Sequence, residues 1–196
     1  MQDERGVYER LCLEGFQSGL SWLTILRKRE AFRAVFEGFD PERVARFRER
    51  DVRRLLGDAS IVRHRGKIEA AVANARATLA LRDELPLHEL FWSFRPGEPR
   101  PAPRSPADWD ASTPESAALS KRLKAAGFRF VGPTTVHAAM QACGVVNDHL
   151  ADCWVRDAVE IARGPSWPMR YVEGHPRKGG GPALETSSTG SGGTSS

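Results

Sequence analysis

Two dipeptides limit what this chain can build. Asp40-Pro41 and Thr113-Pro114 each place a capping side chain before a proline. The Asp or Thr oxygen accepts from a free N–H of the coming helical turn, and the proline stands where a missing N–H leaves nothing unpaired. Pro86 and Pro133 open further segments, and Gly38, Gly127 and Gly144 close segments. Between these marks apolar residues recur every three or four positions, and no strand-like alternation of useful length occurs. The expected fold class is all-α, a bundle of short helices.

The first helix is expected from Met1 to Glu14 on a stripe of Val7, Tyr8, Leu11 and Cys12, with Glu14 at its end beside Gly15. Ser21 caps a second, to Gly38, burying Trp22, Ile25, Leu26, Phe32 and Phe36. Val44, Ala45 and Phe47 form a short face after Pro41. Two helices, Asp51 to Leu56 and Gly66 to Leu81, flank a loop, and the longer one turns Ile68, Ala71, Val72, Ala75 and Leu79 inward. Leu87, Leu90, Phe91 and Phe94 follow, then a proline-rich loop from Pro96 to Trp109. Leu119 and Leu123 mark one further helix, and Val136, Met140 and Cys143 mark another. An amphipathic stretch is expected to about Arg163. The organisation is a helical domain over 1–153, an extension over 154–173 and a disordered Gly/Ser/Thr-rich tail over 174–196.

No apolar run approaches the roughly 18 residues of a membrane span, and the start lacks a basic segment followed by an apolar one. Three cysteines, Cys12, Cys143 and Cys153, make no disulfide framework and suit a reducing, cytoplasmic setting. Cys12 falls on the first apolar stripe and reads as core. The net charge is +4, and residues 41–70, with nine Lys or Arg against five Asp or Glu, hold a surplus of that same size. Such a surface suits a polyanion such as nucleic acid. The competing reading is a solvated helix face laced with Glu–Arg pairs.

Three groupings bear on chemistry. Glu14 and Trp22 stand on either side of a short bend that contains Gly19. A carboxylate facing an indole is a ligand pocket, or else a solvated charge beside a core tryptophan. Arg63, Arg65 and Lys67 surround Gly66 at a helix start, where free N–H groups and the helix dipole favour phosphate. The alternative there is an ordinary basic turn. His149 and Cys153 would share one face of a helix, a spacing suited to two zinc ligands, although structural zinc takes four.

Several blocks together resemble the DNA-3-methyladenine glycosylase I family. They are Leu13-Glu14-Gly15, Gly19-Leu20-Ser21-Trp22, Arg63-His64-Arg65-Gly66-Lys67-Ile68, Phe128-Arg129-Phe130-Val131-Gly132, and Met140-Gln141-Ala142-Cys143-Gly144 through Asn147-Asp148-His149. The match runs in order from about Asp3 to Cys153. The resemblance implies a helix-hairpin-helix fold and a monomer. It implies hydrolysis of the N-glycosidic bond of 3-methyladenine in double-stranded alkylated DNA, which leaves an abasic site. By resemblance, Glu14 is the active-site carboxylate that recognises the base and Trp22 stacks on it. Gly19 and Leu20 fill the gap that the flipped nucleotide leaves. Arg63, Arg65, Gly66 and Lys67 grip a strand by its backbone.

The resemblance also implies zinc, bound by His149 and Cys153 with a Cys and a His near the N-terminus. Those partners are absent, since no Cys precedes Cys12 and no His precedes His64. The family's opening segment is therefore expected to be missing, along with aromatics it lends the pocket. The pocket is then expected to be open on one side. The hairpin has one glycine, Gly66, where the family type has two. Many related glycosylases carry an aspartate after the hairpin helix to activate water, and the resemblance implies a family that shares their fold but lacks it. His137 stands where the family often has tyrosine and reads as a core histidine. Three other readings compete: a hairpin protein that holds DNA without chemistry, a glycosylase impaired by truncation, and a metal-stabilised helical scaffold.

Overall fold

The computed structural model describes residues 3–98 and 100–164. Among the described residues there are nine α-helices and no strand. In order they are α1 (Glu4–Gln17), α2 (Trp22–Val35), α3 (Pro41–Val44), α4 (Glu49–Gly57), α5 (Arg65–Leu81), α6 (Leu87–Ser93), α7 (Pro114–Ala125), α8 (Pro133–Cys143) and α9 (Arg156–Arg163). The caps form as the dipeptides require. Asp40 Oδ1 accepts from Glu42 N at 2.9 Å, and Thr113 Oγ1 accepts from Ser116 N at 3.2 Å. Gly144 closes α8 at φ 81°, a left-handed turn that glycine enters without strain.

The central helix is α1, which packs against α2, α5, α6 and α8. Its stripe is buried, Cys12 included, and the Tyr8 hydroxyl donates to Ala71 O at 2.9 Å across the contact with α5. Phe16, Phe32, Phe36 and Phe39 gather beside it, with Phe36 and Phe39 stacked at 5.4 Å. Polar ties cross the same contacts. The buried Glu9 carboxylate accepts from Arg29 at 3.0 Å and Arg33 at 2.9 Å, which fixes α2 on α1. Arg82, on the turn after α5, reaches both Glu4 and Glu42. These restraints hold in place the helix that carries Arg10, Glu14 and Gln17.

Three sequence expectations need correction. Glu14 does not end α1, because Gly15 is helical and Phe16 continues the buried stripe. The bend comes later, at Ser18 to Ser21, where Gly19 takes φ 78°. Leu26 is 45% exposed, since α2 meets the core through Ile25, Phe32 and the following Phe36. Finally, α2 stops at Val35 and a tight turn over Glu37–Phe39 leads on. The expected disordered tail, 174–196, lies outside the described residues, as does the extension beyond Gly164. No helix among the described residues is long and apolar enough to cross a membrane.

Candidate active site

Arg10, Glu14 and Gln17 lie one helical turn apart on one face of α1 and line a cavity of about 840 Å³. Trp22 enters it from α2, Trp92 from α6, Gln141 and Cys143 from α8, and Val159, Ala162 and Arg163 from α9. The volume is within the range of small-molecule sites, roughly 300–1,000 Å³. Trp22 reaches the cavity because Ser21 caps α2, its Oγ accepting from Thr24 N at 3.3 Å, and so fixes where the helix starts.

The two residues singled out in the sequence therefore share one cavity. Glu14 is buried, and that burial pushes its carboxyl up from the usual glutamate range. Arg10 opposes the shift, its Nη1 lying 3.6 Å from Glu14 Oε1. The guanidinium carbon of Arg10 also lies 5.0 Å from the Trp22 ring centroid. A planar cation thus rests over the indole and beside the carboxylate, an arrangement both groups favour electrostatically. Arg10 Nε is buried with no hydrogen-bond partner among the described residues. Sequence reading passed over Arg10, although its four-residue step to Glu14 on a helix was the available signal.

The hairpin of α4 and α5 departs from expectation in its charges. Lys67 is buried, and its ammonium donates to Phe16 O at 2.9 Å and to Ser18 O. It satisfies carbonyls at the end of α1 that the helix leaves unpaired, so it is not a strand-facing cation. Burial lowers its pKa. Arg65 is exposed but pairs with both oxygens of Glu49 at 3.1 Å and with Glu69 at 3.1 Å. The reading of Glu–Arg pairs holds for this residue. Arg63 is exposed and meets no carboxylate among the described residues. Gly66 sits in the first turn of α5, where a Cβ would lie 3.3 Å from the His64 ring. His64 caps α5, Nδ1 accepting from Lys67 N at 3.2 Å.

Leu20, on the bend between Glu14 and Trp22, is 43% exposed. Sequence reading missed the role of Phe130 beyond its place in a matched block. Its ring meets His64 edge-on at 6.4 Å, and its φ is 54°, a conformation side chains of its size rarely adopt. Phe130 therefore stands between the end of α1 and the start of α5.

His149 and Cys153 do not share a helical face, because the chain from Asn147 to Val155 is not helical. His149 Nδ1 pairs with Asn147 Oδ1 at 2.8 Å, and His149 lines the cavity. No group of three or more His, Cys, Asp or Glu able to hold a metal gathers among the described residues. The described residues thus bring His149 and Cys153 no further ligands of the kind a four-coordinate structural zinc needs. His137 is a core histidine, 3.2 Å from Asp148 Oδ2, to which Gln141 also donates at 2.8 Å. The His137 contact and the Gln141 bond hold the Asp148 carboxyl below its usual range.

Cavity and hairpin belong to a fold that is all-helical among the described residues, with a pocket that sets a buried carboxylate beside an indole. The methyladenine glycosylase family model matches residues 1–157. DNA-3-methyladenine glycosylase 1 of Escherichia coli (strain K12) is 48% identical over 153 residues, which are 77% of this chain and 82% of that protein. A crystal structure of 3-methyladenine DNA glycosylase I superposes with a TM-score of 0.76 at 49% identity, covering 79% of this chain and 86% of that one. A further structure, a variant of 3-methyladenine DNA glycosylase I in complex with 3-methyladenine, gives a TM-score of 0.76 at 36% identity, covering 80% and 85%. The chain belongs to the methyladenine glycosylase family.

Proposed function

We propose that this protein is a monofunctional DNA glycosylase that removes 3-methyladenine from alkylated double-stranded DNA. The observation that carries the reading is the cavity shared by Glu14 and Trp22, with a planar cation already lying against both. Adenine methylated at N3 is itself a planar cation in DNA. Taking it out of the stack costs a few kcal/mol, least for a damaged base. The indole face returns about 0.5–2 kcal/mol of cation–π attraction, and the Glu14 carboxylate accepts a hydrogen bond from the exocyclic amine. Arg10 yields its place as the base enters.

The reaction breaks the bond between N9 and C1′. Its electron pair goes to N9, which neutralises the base, while water adds to C1′ and gives its proton to solvent. The base is already a good leaving group, so the pocket needs to favour its departure more than to supply acid. Leu20, exposed on the bend, fills the space that the flipped nucleotide vacates. Arg63 and the free N–H groups at the start of α5 approach strand phosphates. The reading extends to a monomer in a reducing, cytoplasmic setting, which the three free cysteines support.

Release of 3-methyladenine from methylated duplex DNA by the purified full chain tests the proposal. Glu14→Gln should reduce release while leaving duplex affinity near that of the parent. Strongly salt-dependent binding with no release by the parent would instead make this a DNA-holding module.

A further inference from the structure

The family match ends at residue 157, and α9 runs from Arg156 to Arg163. Most of this helix lies beyond the matched region, yet Val159, Ala162 and Arg163 line the cavity. We propose that α9 is a working wall of the base pocket, by which this chain completes its own site. The proposal rests on the reading of that cavity as the site for 3-methyladenine.

Burial does not hold α9 in place, since none of its residues is buried. Side chains clasp it to the turn after α8. Arg163 donates through Nε to Gly144 O at 2.7 Å and through Nη2 to Val145 O at 2.8 Å. Arg156 donates to Asn147 O at 3.1 Å and to His149 O. Asn147 answers from the other side, its amide donating to Arg156 O at 3.1 Å and to Glu160 Oε2 at 3.0 Å. Arg95, on the turn after α6, accepts the end of the helix by donating to Arg163 O and Gly164 O, each at 3.1 Å.

Charged donors on carbonyls make stronger bonds than neutral ones, and here they converge on residues that border the cavity. Gly144 and His149 belong to both the turn and the cavity lining. The clasp therefore fixes α9 relative to the pocket rather than to some remote surface. What α9 presents inward is largely apolar, Val159 and Ala162. Apolar surface there covers one side of a bound ring and keeps water from the Glu14 carboxylate, which strengthens each electrostatic contact in the site.

The test uses the full chain and free 3-methyladenine, with binding read by isothermal titration calorimetry. One variant, Arg156→Ala with Arg163→Ala, undoes the clasp. A second, Ala162→Trp, fills the cavity from an exposed position that leaves the core untouched. Each should weaken binding about tenfold, the worth of some tens of Å² of apolar contact, with thermal unfolding of the Ala162→Trp protein unchanged. Glu14→Gln is measured beside them. Loss in the α9 variants together with loss in Glu14→Gln supports the wall. Parent-like affinity in both α9 variants overturns it, and if Glu14→Gln still loses affinity, the base-pocket reading survives that failure. Loss in the α9 variants with full affinity in Glu14→Gln also overturns it, because α9 would then wall a different site.

Discussion

The guanidinium of Arg10 lies over the ring of Trp22, 5.0 Å from its centroid, while its Nη1 stands 3.6 Å from Glu14. The resting pocket thus contains its own planar cation, held by the two groups assigned to the damaged base. Cation and base compete for one indole and one carboxylate. Arg10→Ala should tighten the binding of free 3-methyladenine by roughly two- to thirtyfold, the range that about 0.5–2 kcal/mol of cation–π attraction spans. Fluorescence titration measures this, and weaker binding would make Arg10 a partner of the base instead of its rival.

The protonation of Glu14 gives a second prediction. Burial raises its pKa above the ordinary glutamate range, and Arg10 pulls it partway back. Recognition through an accepting carboxylate needs the ionised form. Base release should therefore fall off on the acid side at a pH above the ordinary glutamate range. In Arg10→Ala the lowering influence is gone, so the acid limb should move to still higher pH. A pH profile of kcat/KM for parent and variant checks both position and direction.

Arg63 and Lys67 should separate cleanly. Arg63 is an exposed cation of the hairpin that meets no carboxylate among the described residues, and Arg63→Ala should flatten the salt dependence of duplex binding by about one phosphate contact. Lys67→Met leaves Phe16 O and Ser18 O without their donor. An unsatisfied buried group costs about 1–3 kcal/mol, so its melting temperature should drop while its salt slope stays put. Duplex binding at several salt concentrations, with thermal melts, decides between the two roles.

Leu20 is exposed on the bend, so Leu20→Ala should leave both the fold and free-base affinity intact. Excision from duplex should nonetheless slow, because nothing then fills the vacated stack. Equal loss for free base and duplex would place Leu20 in the pocket wall instead.

How far the sequence revealed this molecule depends on the kind of interaction. Cap-and-proline signals act over a few residues, and the starts of α2, α3 and α7 fell where Ser21, Asp40 and Thr113 put them. Apolar spacing located the buried faces but overreached at Leu26, where the arc of α2 that meets the core is narrower than its apolar residues suggest. Glu14 and Trp22 were readable as a pair because they are close in sequence. Lys67 was misplaced because its partners, Phe16 and Ser18, are remote in the chain and are backbone carbonyls, which carry no residue signature. The amphipathic stretch that became α9 was anticipated, whereas its position at the cavity was not. That position depends on Arg156 and Arg163 finding carbonyls of a turn whose shape only the folded chain defines.

Gly15 carries a final consequence. It bends nothing, since α1 passes straight through it. Its missing methyl is what matters, because a Cβ there would lie 3.3 Å from that of Phe130. Alanine at this position would add up to about 1 kcal/mol of helix propensity, yet it would require Phe130 to retreat from a backbone already at φ 54°. The helix that carries Glu14 is thereby kept less stable than its own local preferences allow, in return for an aromatic neighbour seated against its spine.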